Sequence, residues 1–158
     1  MTILDGKKVA NKLKEKLKKT INELNVRPGL AVISIGDDIA SKLYVKLKHK
    51  TCEELGIYVE EYHFENNVTQ EEIINVIDEL NINDKIHGIL LQSPIPYHLN
   101  ILDIFNRISP DKDVDGFNPI NVGKLSLNQD CFVSCTPFGV IKMLEAYNIQ
   151  IEGAHAVV

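Results

Sequence analysis

What this chain lacks narrows its role first. No apolar run in its 158 residues approaches the ~18 needed to cross a bilayer. The N-terminal Met1-Thr-Ile-Leu-Asp-Gly-Lys-Lys8 has no basic segment leading into a long apolar stretch, so no secretory signal is visible and the expected placement is cytoplasmic. Positive charge is in deficit: 17 Lys and Arg stand against 22 Asp and Glu, a net −5, so no basic field argues for nucleic acid. Cysteine is scarce and odd in number. Cys52, Cys131 and Cys135 form no C-x-x-C and read as reduced thiols, and the five His are scattered, so no zinc spacing emerges and no metal is expected. Neither G-x-G-x-x-G nor a P-loop occurs, and there is no internal repeat or low-complexity tract.

What is present reads as an ordinary globular domain, 44% hydrophobic and 25% charged, long enough for a real core. Val9, Leu13, Leu17, Ile21 and Leu24 recur at helical spacing, predicting an amphipathic helix over 5–25 that Arg27-Pro28-Gly29 breaks. Strands are expected over 30–35, 57–64 and 86–91. A helix over 39–55 stops at Gly56, and another opens at the capping box Thr69-Gln-Glu-Glu72 and runs through Leu80. Asn100 can cap a short helix to Ile108, 109–133 reads mostly as loop, and Thr136-Pro137 opens a helix to Tyr147. Ala156-Val-Val158 looks like the start of another buried strand, cut short. This strand–helix alternation predicts an α/β fold: three layers, a largely parallel sheet with flanking helices.

The chemistry-bearing residues lie at the ends of these elements, where open α/β sheets gather their functional groups. Tyr44 and Lys48 are four apart on the second helix, so a phenol and an amine project from one face. Alone, the pair reads first as part of a solvated basic stripe with Lys42, Lys46 and Lys50. Gln92 ends the third strand and can both accept and donate, to orient an amine or a ligand, while Pro94 and Pro96 stiffen the chain behind it. Asp111, Asp113 and Asp115 share one loop. No closing Glu follows, so calcium is not the expected ligand, and Asp115, before Gly116, is best placed to meet several N–H donors of a ligand. A lysine ammonium stabilises or protonates a leaving nitrogen; to act as a base it must first lose its charge through burial or neighbouring cations.

Taken in order, these segments resemble a family. Ser41-x-x-Tyr44-Val-x-x-Lys48, Gly56-Ile57, His87-Gly-Ile-Leu-x-Gln92-x-Pro-x-Pro96, Pro110-x-Lys-Asp-Val-Asp-Gly-Phe117, Asn121-x-Gly-x-Leu125, Cys135-Thr-Pro-x-Gly139 and Gly153-x-His-Ala-Val-Val158 closely resemble bifunctional methylenetetrahydrofolate dehydrogenase/methenyltetrahydrofolate cyclohydrolase. The resemblance implies that Lys48 is the central catalytic group, that Tyr44 lies against the folate, that Gln92 holds the lysine and that Asp115 binds the pterin N–H groups. It implies one-carbon folate chemistry: NADP-dependent oxidation of 5,10-methylenetetrahydrofolate, then hydrolysis of the methenyl product to 10-formyltetrahydrofolate. By the same resemblance, residues 1–135 are the folate-binding catalytic domain and 136–147 an interdomain helix. Residues 148–158 are then the first strand region of an NADP-binding Rossmann domain, with the NADP site mostly beyond residue 158 and only Thr136 and Pro137 standing near it. The parent is expected to be a homodimer formed mainly through that second domain, with neither nucleic acid nor membrane as partner.

Ser93, Ser134 and the Lys46-Leu47 pair depart from the family's usual residues without removing a matched functional one. Two other readings compete. Short-chain dehydrogenases also use Tyr-x-x-x-Lys, but they carry a glycine-rich cofactor loop near the N-terminus, and Asp5-Gly6-Lys7 is not one. A non-catalytic folate-binding or interaction module is the non-enzyme alternative.

Overall fold

In the computed structural model, which describes residues 3–157, the core is built around one nearly continuous apolar strand. Gly29-Leu-Ala-Val-Ile-Ser-Ile35 forms β1, with Ala31 and Ile33 fully buried. It is central in a three-stranded sheet of order β2-β1-β3, where β2 is Tyr58–Phe64 and β3 is Gly88–Leu91, all parallel. A strand covered on both faces has no reason to alternate polar and apolar residues, which is why β1 reads as a block. The edge strand β2 carries Glu60, Glu61 and His63 and is the more exposed.

Helices cover both faces, giving the expected three layers. On one face, Ile73, Ile77 and Leu80 of α3 (Gln70–Ile82) and Ile104 of α4 (Ile101–Arg107) pack with Ile108 against Ala31, Ile33, Ile35, Ile89 and Leu91. Fully burying each such Ile or Leu stabilises by ~1.5–3 kcal/mol. On the other face lies α2 (Ile39–Leu55), with α1 (Gly6–Glu23) behind it. The predicted caps hold: the Thr69–Glu72 box closes reciprocally, Asn100 Oδ1 accepts from the amides of Leu102 and Asp103, and Gly56 ends α2 at φ +82°.

Two expectations need correction and one is refined. Residues 109–133 are mostly loop, as expected, but they hold one helix, Pro119–Ser126 (α5), capped by Asn118 with Pro119 in its first turn. That cap-then-proline pair was a readable signal. The last helix, α6, spans Cys135–Ala146, so Ser134, not Thr136, is its N-cap. Pro137 falls within the first turn, where helix amides lack intrahelical partners and a missing N–H costs nothing. Residues 154–157 form no strand, and Val158 lies outside the described residues. A parallel strand exists only as part of a ladder, and no described strand pairs with this segment; Val157 is 85% exposed.

The C-terminal helix is lightly held. It has no fully buried residue, Ile141 is exposed, and Met143 and Leu144 are only half-buried. Met143 Sδ packs at Gly6, and the Asp5 amide donates to the Tyr147 hydroxyl at 2.9 Å.

Glycine placement yields a paired prediction. A Cβ at Gly29 would sit 1.9 Å from the Lys85 carbonyl oxygen, so backbone must move where β1 and β3 begin. Gly29→Ala should destabilise by about 1–3 kcal/mol. Gly123, inside α5, has nothing within 4 Å of its missing Cβ; Gly123→Ala should leave stability unchanged or raise it by up to ~1 kcal/mol. Thermal unfolding of both variants checks the pair, and a tolerated Gly29→Ala would contradict the packing described.

Candidate active site

Two elements converge where β3 ends. Gln92 follows the last residue of β3, and its amide donates to the Ile33 carbonyl at 2.8 Å, so its backbone is still held by the sheet. From α2, Lys48 Nζ donates to Gln92 Oε1 at 2.8 Å in a half-buried position. Gln92 Nε2 donates to the Ser93 carbonyl at 2.7 Å, which leaves the amide oxygen facing the ammonium. Ser41 Oγ, one turn into the same helix, reaches the same carbonyl at 3.4 Å, tying the start of α2 to the strand end. Tyr44, one helical turn before Lys48, remains 58% exposed, an open wall beside the amine.

The acidic loop is brought here by the sheet. The Ile89 amide donates to the Lys112 carbonyl at 2.7 Å, and Ile89 and Asp113 form a parallel bridge, so this segment lies along the free edge of β3. Gly88 permits the approach, since a Cβ there would meet Val114 Cγ1 at 2.5 Å. Gly116 then turns the chain at φ +68°, with the backbone of Phe132 and Ser134 so close that a Cβ would sit 2.9 Å from each. That close approach delivers the first turn of α6, and Cys135 Sγ points at the Val114 carbonyl, 3.7 Å away.

The electrostatics tie these pieces together. Burial pushes the Asp115 carboxyl above the ordinary carboxylate value; the Lys48 charge pulls it back and the neighbouring Asp113 charge pushes it further up. The Cys135 thiol is raised by burial first, then by Asp115, with Lys48 opposing. Cys52, on the same flank of α2, is raised by burial and moderated by Lys48. Amine, carboxyl and thiol therefore lie close enough for their charges to act on one another.

Lys48, Gln92 and Asp115, singled out in the sequence from three distant segments, are brought together, and Tyr44 stands beside them. Thr136 and Pro137 are exposed on the α6 turn next to Cys135. Sequence reasoning missed Asp113, Asn118 and Asn121, each 2% exposed and joined in a buried polar network beneath Asp115. Their types gave no warning, since Asp and Asn in a loop are ordinarily solvated. Among the described residues no group of three or more His, Cys, Asp or Glu could hold a metal ion, and no helix is long and apolar enough to cross a membrane.

Comparison with known proteins places this geometry. Residues 4–115 match the family described as tetrahydrofolate dehydrogenase/cyclohydrolase, catalytic domain. The bifunctional protein FolD of Methanococcoides burtonii is 45% identical over 160 residues, covering 99% of this chain and 56% of that protein. FolD of Bacillus subtilis strain 168 is 46% identical with the same coverage. Among solved structures, the FolD methylenetetrahydrofolate dehydrogenase/cyclohydrolase of Campylobacter jejuni superposes with a TM-score of 0.93 at 48% identity, covering 97% of this chain and 56% of that one. The Trypanosoma brucei methylenetetrahydrofolate dehydrogenase-cyclohydrolase, solved with NADP cofactor and an inhibitor, superposes at 0.90 with 30% identity over 96% of this chain and 54% of that one. The chain thus spans little more than half the length of the relatives it matches. With the match running through α2, β3 and the Asp113–Asp115 segment, and relatives this similar along nearly every residue, the chain belongs to the tetrahydrofolate dehydrogenase/cyclohydrolase family.

Proposed function

We propose that this chain is the folate-binding, catalytic half of a methylenetetrahydrofolate dehydrogenase and methenyltetrahydrofolate cyclohydrolase, acting in one-carbon metabolism. The observation that carries the reading is the Lys48–Gln92 hydrogen bond, made by an amine near enough to Asp115 for its charge to act on that carboxyl. In this reading residues 1–135 are the folate-binding catalytic domain, 136–147 the helix leading out of it, and 148–158 the lead into an NADP-binding Rossmann domain. A cytoplasmic homodimer, formed mainly through that second domain, accompanies the reading.

The roles follow from the chemistry of each group. Asp115 accepts hydrogen bonds from the pterin's N–H groups, and an ionised carboxylate makes these stronger than a neutral acceptor would. Tyr44 lines the ring on its exposed side. Gln92 holds the Lys48 amine at the reacting carbon. In hydrolysis, water adds to the cationic methenyl carbon and loses one proton; the bond to N5 then breaks and N5 takes a second proton from the adduct's hydroxyl. The product is a formyl group on N10, with one proton released overall. Lys48 manages these transfers, and positioned acid/base help of this kind contributes ~10²–10⁴ in rate. In oxidation, a hydride leaves the methylene carbon and no proton moves, so the residues here serve by holding that carbon. NADP belongs to the family, but none of the nine glycines builds a phosphate-cradling G-x-G-x-x-G. The residues present do not form a dinucleotide site, and no hydride-accepting step is assigned to them.

Lys48→Met should preserve the fold and remove cyclohydrolase turnover in the full-length protein, a loss of about 10² or more. A variant that hydrolyses methenyltetrahydrofolate at the wild-type rate refutes the catalytic assignment, and a chain that binds folate without any turnover supports the non-enzyme reading.

Asp115→Ala should weaken reduced-folate binding more than about tenfold, some 1.4 kcal/mol, by calorimetry. Unchanged affinity in a folded variant removes Asp115 from the binding site.

Asp115 also predicts a pH-dependent stability. Its folded-state pKa lies above the ordinary 3.8, so the native state holds the proton more tightly than the unfolded chain. The stability this contributes is complete below the ordinary value and is lost as pH rises through the folded one. Asp115→Asn should therefore melt above the wild type at neutral pH, with the gap closing as pH falls below the carboxylate range. A lower melting temperature at neutral pH contradicts this.

A further inference from the structure

Asp113 and Asp115 are separated by one residue, yet Asp113 is buried in its own polar network while Asp115 lies within reach of the Lys48 charge. Asp113 is 2% exposed, and its Oδ2 accepts from the Asn118 amide at 2.8 Å and from Asn121 Nδ2 at 2.9 Å. No Lys, Arg or His within ion-pair distance of it is present among the described residues. A carboxylate buried against amides alone bears a desolvation cost that two good hydrogen bonds only partly offset. A neutral residue of the same shape would avoid that cost, so its presence calls for a reason beyond filling space.

The surrounding contacts supply one. Asn121 Nδ2 also donates to the Pro110 carbonyl at 2.9 Å, so one side chain closes both ends of the acidic loop. Asn118 Nδ2 donates to the carbonyls of Phe105 and Ile108 at 3.1 and 2.9 Å, fastening the same clamp to the end of α4. On the other side the Asp113 backbone is bridged to Ile89 of β3, and its carbonyl accepts the Gly116 amide at 3.2 Å, closing the turn that contains Asp115. Asp113 and Gly116 are thus held on either side of the Val114-Asp115 turn, which fixes the backbone that carries Asp115.

We propose that Asp113 is a positioning residue of the site: through its clamp on Asn118 and Asn121 it aims Asp115 into the Lys48 cleft and keeps a negative charge behind it. The functional half of this rests on reading Asp115 as the folate-binding carboxylate. Asp115 is faced by Lys48 from α2, by Cys135 from the first turn of α6 and by Asp113 from its own loop; Lys48 favours its ionised form, and burial and Asp113 oppose it.

Two substitutions separate aim from charge. Asp113→Asn keeps an oxygen that can accept both donors while removing the charge. Asn121→Ala keeps the charge and removes one arm of the clamp. The readouts are the titration midpoint of the Asp115 carboxyl by ¹³C NMR and calorimetric affinity for 5-formyltetrahydrofolate, a stable reduced folate. In Asp113→Asn the Asp115 midpoint should fall, since a like charge is gone, and the acid limb of folate binding should move to lower pH with it. In Asn121→Ala affinity should drop about tenfold, as expected when a buried hydrogen bond that fixes a binding group is lost. A midpoint unmoved in Asp113→Asn overturns the proposal, as does Asn121→Ala affinity within about twofold of wild type. If Asn121→Ala does not fold, the Asp113→Asn midpoint decides alone. A wild-type chain that binds no folate overturns the folate reading, while the NMR midpoint still tests the link between the two carboxylates.

Discussion

A single hydrogen bond, Lys48 Nζ to Gln92 Oε1 at 2.8 Å, joins the face of a helix to the end of a strand, and the site is organised around it. For it to form, α2 must lie across the sheet at one rotation about its axis, since Tyr44 and Lys48 share a face and a turn of 100° would carry both away. The rotation is set by what the rest of that flank buries: Ser41, Cys52 and Leu55 go inward on the same side. The packing of the helix and the aim of its amine are one constraint. Gln92 contributes the complementary half, because its backbone is still paired to β1 while its side chain is already clear of the sheet.

The sheet also explains why a loop can be trusted with the carboxylate. Loops ordinarily run over the surface and move more than the elements they connect. Residues 112–114 instead lie along the open edge of β3, Lys112 Nζ caps the end of α3 by donating to the Leu80 and Asn83 carbonyls, and Gly116 folds the turn against the chain before α6. Among the described residues no buried side-chain polar atom lacks a partner, so the polar layer beneath Asp115 is fully satisfied. A satisfied buried network is stiff, and it gives the turn that carries Asp115 a fixed base.

The chain also carries titrating groups that belong elsewhere. On the opposite flank of α2, His49 pairs with Glu61 of β2 and lies 3.4 Å from Glu53, and these carboxylates raise its pKa above the ordinary histidine value. This cluster borders a separate cleft with Lys42, Lys46 and His63, away from Lys48. Two flanks of one helix that both carry titratable side chains show why a basic stripe in sequence cannot be assigned to a site without knowing which side of the helix meets the sheet.

Local rules determined much of this protein. The caps at Thr69, Asn100 and Gly56 act over a few residues, and the apolar block of β1 is a one-dimensional pattern, so both are legible in the sequence. So was the Tyr44–Lys48 pair, because helical spacing alone puts them on one face. Its meaning came from resemblance across several motifs, since spacing by itself fits a solvated stripe better. The expected strand near residue 156 failed because a strand is a property of a pair of segments, and hydrophobicity cannot supply the second one. Only the tertiary structure decided that Asp113 turns inward and Asp115 outward. Two like residues two positions apart have the same local propensities; what separates them is the edge of β3 and the two asparagines that reach Asp113 from further along the chain.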